Sequence, residues 1–236
     1  MAWTDPVFSY CERGQNADFW AEPLNALSNA GFLIVALAAA LHWARQPQAQ
    51  RGAAEAALIA LVATIGAGSF LFHTFANRWS NIADVAPIAI FMFAYAGYAL
   101  RRYLGLSSPW VLAGLVGFAA LIAVSAVTPC PSALTSAVPG PRCLNGSIAY
   151  LPALLVLAAT GIATLARGDR AGRLLLAASA VFAVSLVART LDLELCESTQ
   201  LFGHARGTHA IWHLLNAGTL GLLLAAALRN GSKAPA

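Results

Sequence analysis

The sequence predicts an all-α polytopic membrane protein, a bundle of seven transmembrane helices. Of its 236 residues, 59% are hydrophobic and only 10% are charged, against roughly 25% charged in soluble domains. The apolar residues also gather into seven runs, each near the ~20 residues needed to cross a hydrocarbon core of ~30 Å. These runs cover residues 23–44, 54–74, 83–101, 109–128, 147–166, 172–189 and 208–228. No internal repeat, low-complexity tract or long linker divides them. Residues 1–236 therefore read as one membrane domain, with a short amino-terminal segment (1–22) and a tail (229–236).

Taken in order, the first run ends at His42 and Trp43, a pair suited to the membrane interface and given no further role. The second closes on Gly68-Ser69-Phe70-Leu71-Phe72-His73, and the third opens with Asp84, across a short turn holding Asn77, Arg78 and Asn81. The fourth and fifth flank a loop containing Cys130 and Cys143, bounded by Pro129, Pro131, Pro139 and Pro141. The sixth has only fifteen residues between Arg173 and Arg189, so either both arginines snorkel or neighbouring helices bury part of it. The seventh begins Thr208-His209-Ala210-Ile211-Trp212-His213.

Seven crossings put the termini on opposite sides. Nine basic residues (Arg45, Arg51, Arg101, Arg102, Arg167, Arg170, Arg173, Arg229 and Lys233) lie on the carboxy-terminal side, against five (Arg13, Arg78, Arg142, Arg189 and Arg206) on the other. The positive-inside rule then predicts a cytoplasmic carboxy terminus and a periplasmic or lumenal amino terminus. Asp5, Glu12, Arg13 and Asp18, with no apolar stretch among them, do not form a cleavable signal peptide. All four cysteines fall on the outer side, where disulfides persist. Cys130 and Cys143 share a loop, which leaves Cys11 with Cys196, although four cysteines allow three connectivities. Thirteen Arg to one Lys, with abundant Ala, Leu and Gly, points to a high-GC bacterial genome and so to an inner membrane. The net charge of +4 is scattered between apolar runs rather than gathered on one face, which argues against a nucleic-acid partner. The sequence is silent on oligomeric state.

Ionisable groups at membrane depth are costly and so are functional candidates. Ser69 and His73 stand four apart on one helical face, as do His209 and His213. Asp84 arrives at the same depth. A membrane histidine by itself is as readily an interhelical hydrogen-bonding group. Two His at i and i+4 with a third from elsewhere, however, make three ligands to zinc and leave the fourth position for water, the catalytic pattern. Neutral imidazole is also the least costly strong ligand to bury. His204, in the loop before the last run, is expected to be solvated.

Beyond these, Tyr10-Cys11-Glu12, Asp18-Phe19-Trp20, Asn25, Ser28-Asn29, Ser69-x-x-x-His73, Asp84, Arg189 with Asp192 and Cys196, and His209-Ala210-x-Trp212-His213 follow in an order and spacing that resembles the alkaline ceramidases. These sit in a wider superfamily of seven-helix membrane hydrolases that includes the adiponectin and progestin receptor family. The resemblance covers most of the chain. It implies zinc on His73, His209 and His213, Ser69 and Asp84 beside the water that zinc activates, and a Cys11–Cys196 disulfide. It implies a zinc-dependent hydrolase that cleaves the amide of ceramide-like N-acyl lipids to fatty acid and sphingoid base. Asp84 would be the general base and acid and Ser69 the oxyanion donor.

The resemblance also implies calcium in the amino-terminal segment. Glu12 and Asp18 match that pattern, whereas Arg13 and Gly14 supply no side-chain oxygen; the alternative is that Glu12, Asp18 and Glu22 form a solvated acidic collar. Two rival functions are a seven-helix lipid receptor with a structural zinc and a metal or proton transporter. The first wants a larger inner surface than the short inner loops offer, and the second wants ionisable residues throughout the depth of the bundle.

Overall fold

The computed structural model describes residues 2–136 and 142–230. Among these, seven spans are long and apolar enough to cross a membrane. The first is two helices in line, α1 (Pro23–Ser28) and α2 (Ala30–Arg45), joined through Asn29, whose own backbone is helical. The others are α3 (Ala53–Phe75), α4 (Arg78–Arg102), α5 (Ser108–Val127), α6 (Leu151–Ala166), α7 (Ala171–Thr190) and α8 (His209–Asn230). Two small antiparallel hairpins, β1 (Thr135–Ser136) with β2 (Arg142–Cys143) and β3 (Gln200–Leu201) with β4 (His204–Ala205), lie in connecting loops. Pro139, Pro141, Lys233 and most of the expected tail (231–236) lie outside the described residues.

The observed ends differ from the expected ones where local hydrogen bonding intervenes. α4 starts at Arg78 rather than at residue 83 because Asn77 and Ser80 form a reciprocal capping box, each side chain accepting from the other's backbone N–H at 3.1 Å. The fifth crossing enters through a tight turn, Leu144–Tyr150, broken by positive φ at Asn145 and Gly146, before α6 begins at Leu151.

Burial orders the helices. α8 is 61% buried over its most apolar window and α3 50%, whereas α5, with the highest mean hydropathy (2.3), is only 6% buried. Lipid tails are as apolar as leucine, so a helix facing them can be uniformly hydrophobic, whereas interior helices need small residues for close backbone approach. Ala36, Ala39, Ala178, Ala217, Ala226 and Ala227 serve this role and pack with Phe32, Val62, Phe91, Leu175 and Leu224. α7 is 44% buried, and its Arg189 is enclosed rather than snorkelling, while Arg173 is exposed.

At one end of the bundle the amino-terminal segment folds back across the helices. Val7 donates to the Ala76 carbonyl (2.8 Å) and Trp20 to that of Thr74 (3.1 Å), and Pro6 bridges to Asn77. Cys11 is disulfide-paired with Cys196 and Cys130 with Cys143, each with Cα atoms 5.5 Å apart. At the opposite end the buried Glu55 accepts from the Tyr98 hydroxyl (2.7 Å), and the Tyr95 hydroxyl donates to the Leu223 carbonyl (3.0 Å).

Candidate active site

α3 and α8 deliver the three histidines to one point beneath the amino-terminal segment. His73 ends α3 and His209 opens α8, with His213 one turn further on. Ring centroids are 4.5 Å apart for His209–His213, 4.7 Å for His73–His213 and 5.1 Å for His73–His209. Their candidate ligand atoms all lie within 4.8 Å of one another, and the residues are 0, 1 and 3% exposed. Among the described residues this is the group of His, Cys, Asp or Glu side chains that could hold a metal ion.

The hydrogen count fixes which nitrogens are free. Glu22 faces His73 Nδ1 at 2.6 Å and Arg13 Nε at 2.5 Å. Burial pushes the Glu22 carboxyl up, but the adjoining His73 and hydrogen bonds from His73, Asn25 and Arg13 outweigh this and hold it below its ordinary value. An ionised Glu22 can only accept, so His73 Nδ1 carries the proton, and its Nε2 is buried without a partner. Ser28 Oγ gives its one hydrogen to the Asn25 carbonyl (2.7 Å) and must accept from His213 Nδ1 (2.7 Å), which leaves His213 Nε2 unprotonated. His209 Nδ1 is buried without a partner, and its ring stacks on Tyr10 with centroids 3.6 Å apart. Orphaned imidazole nitrogens would be a net cost in a buried site. Their presence fits a cation that neutral imidazoles ligate.

Asp84 completes the arrangement from α4. Ser69, on the face of α3 one turn before His73, lines the same polar cavity beside Asp84, whose Oδ1 is buried and unpartnered. This meeting depends on a close helix approach. Pro87 has no N–H, so the Ala83 carbonyl four residues earlier lacks its helical donor, and at that carbonyl α4 presses against Gly68. A Cβ on Gly68 would stand 2.0 Å from the Ala83 oxygen. The polar cavity lined by Ser69, Asp84, His209, His213 and Arg189 shares Ile65, Ile88, Tyr150 and Asn216 with a second, apolar cavity that continues between α4, α6 and α8 to Ala99 and Thr160.

A model of the ceramidase family matches residues 7–232. The chain belongs to the ceramidase family. No curated protein matches it. Family membership makes this chain a ceramidase-like hydrolase with a lipid substrate, and its seven apolar spans make it an integral membrane protein.

Within this ceramidase-family site, the structure brings together His73, His209, His213, Ser69 and Asp84. Glu12 and Asp18 stand apart from them. Both Glu12 oxygens are engaged: the N–H groups of Leu24 (2.9 Å) and Asn25 (2.8 Å), at the start of α1, donate to them, as does Arg206 (2.6 Å). The Asp18 side chain is exposed, and its carbonyl accepts from Arg13 (3.0 Å). Glu22 is no part of a solvated collar, being 1% exposed between Arg13 and His73. His42 and His204 are exposed.

Sequence reasoning missed Tyr10, Arg13, Glu22, Ser28 and Arg189 as site groups. The Arg189 guanidinium lies 5.3–5.7 Å from the ring centroids of Tyr150, Trp212 and Tyr10 and donates to the Tyr10 hydroxyl (3.2 Å). Burial pushes the Tyr10 phenol up to about 12, against the pull of Arg189. Asp192 caps α8 from outside it, accepting from the N–H groups of Thr208 (2.8 Å), His209 (2.9 Å) and Cys11 (3.0 Å). Gly207 allows this: its φ is +65°, and a Cβ there would lie 2.1 Å from Asp192 Oδ1. Tyr10, Ser28, Arg189 and Asp192 stood in the spacing that carries the resemblance, but without a role, whereas Arg13 and Glu22 carried no such signal, because they meet His73 through contacts 60 and 51 residues away in the chain.

Proposed function

We propose that this chain is a zinc-dependent amidohydrolase that cleaves ceramide-like N-acyl lipids to a fatty acid and a sphingoid base. One observation carries this reading: three clustered, buried histidines, two of them with unpartnered ring nitrogens, stand beside an unpartnered carboxylate oxygen at the mouth of an apolar cavity. Three protein ligands rather than four is the pattern of catalytic, not structural, zinc, which favours an enzyme over a receptor. A zinc ion held by His73, His209 and His213 would polarise the scissile carbonyl and bring the pKa of a coordinated water to about 7.

The chain's own groups do the rest. The apolar cavity takes the acyl chain, with the amide between Asp84 and the histidines. Asp84 receives a proton from the attacking water at its free Oδ1 and returns it to the leaving nitrogen as the C–N bond breaks. The Ser69 hydroxyl, in the same polar cavity, donates to the carbonyl oxygen as charge develops there. A donor so placed contributes about 3 kcal/mol. Calcium needs six to eight oxygens, and the surroundings of Glu12 and Asp18 do not fit it. Arg206 and two N–H groups take the Glu12 oxygens, and Arg13 takes the Asp18 carbonyl. No step uses it.

The test is metal analysis and hydrolysis of a panel of N-acyl lipids by purified wild-type, Asp84→Asn and His213→Ala proteins. Asp84→Asn should keep zinc and lose about 10²-fold or more in turnover, and His213→Ala should lose both together. Full hydrolysis by zinc-free His213→Ala would refute the mechanism. Zinc binding without hydrolysis of any lipid would favour the receptor reading.

A further inference from the structure

We infer that Arg13 and Glu22 are positioning residues for His73, an internal ion pair through which the amino-terminal segment sets the affinity of the metal centre; this presupposes His73 as a metal ligand, as proposed above. The two side chains are 0 and 1% exposed. Glu22 Oε2 accepts from His73 Nδ1 (2.6 Å) and from Asn25 Nδ2 (3.0 Å), while Oε1 meets Arg13 Nε (2.5 Å). The same guanidinium donates through a terminal nitrogen to the backbone carbonyl of His73 (3.0 Å). Arg13 therefore holds His73 at both ends, its backbone directly and its ring through Glu22. The other terminal nitrogen donates to the carbonyls of Asn16 (3.1 Å) and Asp18 (3.0 Å), closing the intervening loop around the cation.

A buried ion pair adds little net stability over an apolar pair of the same size, so stability alone is a weak reason for this one. Its connection to an imidazole is a better reason. A carboxylate that accepts from the far nitrogen of a ligand histidine fixes the tautomer, sets the ring plane and makes the near nitrogen a stronger donor. The rigid guanidinium fork in turn fixes the carboxylate in a way a single ammonium cannot. The other two histidines have neutral supports: the Ser28 hydroxyl for His213 and the face of Tyr10 for His209. His73 is thus the ligand with a charged partner. That partner belongs to a segment fastened to the loop before α8 by Cys11–Cys196, so docking of the segment and strength of the metal site are one event.

The experiment uses the full-length protein in detergent. Zinc affinity is measured by competition with a chromophoric chelator, the absorption spectrum is recorded with cobalt in place of zinc, and kcat and KM are followed on an N-acyl lipid. Glu22→Gln and the double variant Arg13→Met with Glu22→Gln, which removes both buried charges together, should bind zinc 10–100-fold more weakly. Both should shift the cobalt bands and lower kcat at limiting zinc while leaving KM unchanged. Arg13→Lys keeps the charge without the fork and should fall between wild type and the double variant; it carries the measurement should the double variant fail to fold. Folded variants with wild-type zinc affinity and an unchanged cobalt spectrum would overturn the inference. Wild-type protein that binds no zinc would instead sink the metal reading on which it stands.

Discussion

At the scale of single residues, this site is built as much by what a residue lacks as by what it carries. Gly68 has no Cβ and Pro87 no N–H, and these two absences let α3 and α4 approach until Ser69 and Asp84 line one cavity. Gly68→Ala should cost about 1–3 kcal/mol through overpacking against the Ala83 backbone. It should also lower turnover more than it lowers zinc content, because the histidines lie on other contacts. Thermal unfolding, metal analysis and hydrolysis of one preparation check this; unchanged turnover would mean that the placement of Ser69 beside Asp84 survives without the close approach. The pairing of His209 with His213 was legible from spacing alone, since i and i+4 share a face on any helix. The tautomers were not. They follow from Glu22 and Ser28, whose contacts with His73 and His213 span 51 and 185 residues.

Among the elements, α4 does double duty. Its amino-terminal half brings Asp84 to the histidines, and further along Ile88, Phe91, Met92, Tyr95, Ala96 and Ala99 form one stripe down the apolar cavity. From residue 88 to residue 99 this stripe runs about 16 Å at the helical rise, a length suited to an acyl chain. Ala96→Phe should block its far part. At about 0.8 kcal/mol for each buried methylene, losing room for two or three carbons should shift relative kcat/KM toward shorter acyl chains by about 15–60-fold. Competition between N-acyl lipids of graded length reads this directly, and an unaltered chain-length profile would place the acyl chain elsewhere. The seven crossings were legible as hydropathy, including the shortest, but their order of burial was not. α5 is the most apolar and the least buried, because in a bilayer hydropathy reports contact with lipid as readily as contact with protein.

For the whole molecule, a metal held by the buried histidines, as proposed, would couple its binding to folding. A ligand that binds only the folded state at about 1,000 times its Kd stabilises by about 4 kcal/mol, so zinc should raise the unfolding temperature of the purified protein by several degrees. His73→Ala should abolish the rise. Thermal scans with graded zinc check this, and an equal rise in His73→Ala would move the metal to another site. Orientation also belongs to this scale. Nine basic residues against five should keep the carboxy terminus in the cytoplasm, so a fusion of green fluorescent protein there should be fluorescent and a fusion of alkaline phosphatase inactive; the reverse pattern would invert the topology.

By itself the sequence determined the seven crossings and put Ser69, His73, Asp84, His209 and His213 at one depth, because bilayer thickness and helical periodicity act over about twenty residues or fewer. Tertiary structure alone decided that the amino-terminal segment is part of the site. Arg13 and Glu22, set among charges that read as a solvated rim, are enclosed against His73 because the chain folds back over α3 and is tied to the loop before α8. A contact of that kind has no period in the sequence, since it depends on where two distant stretches of chain come to rest.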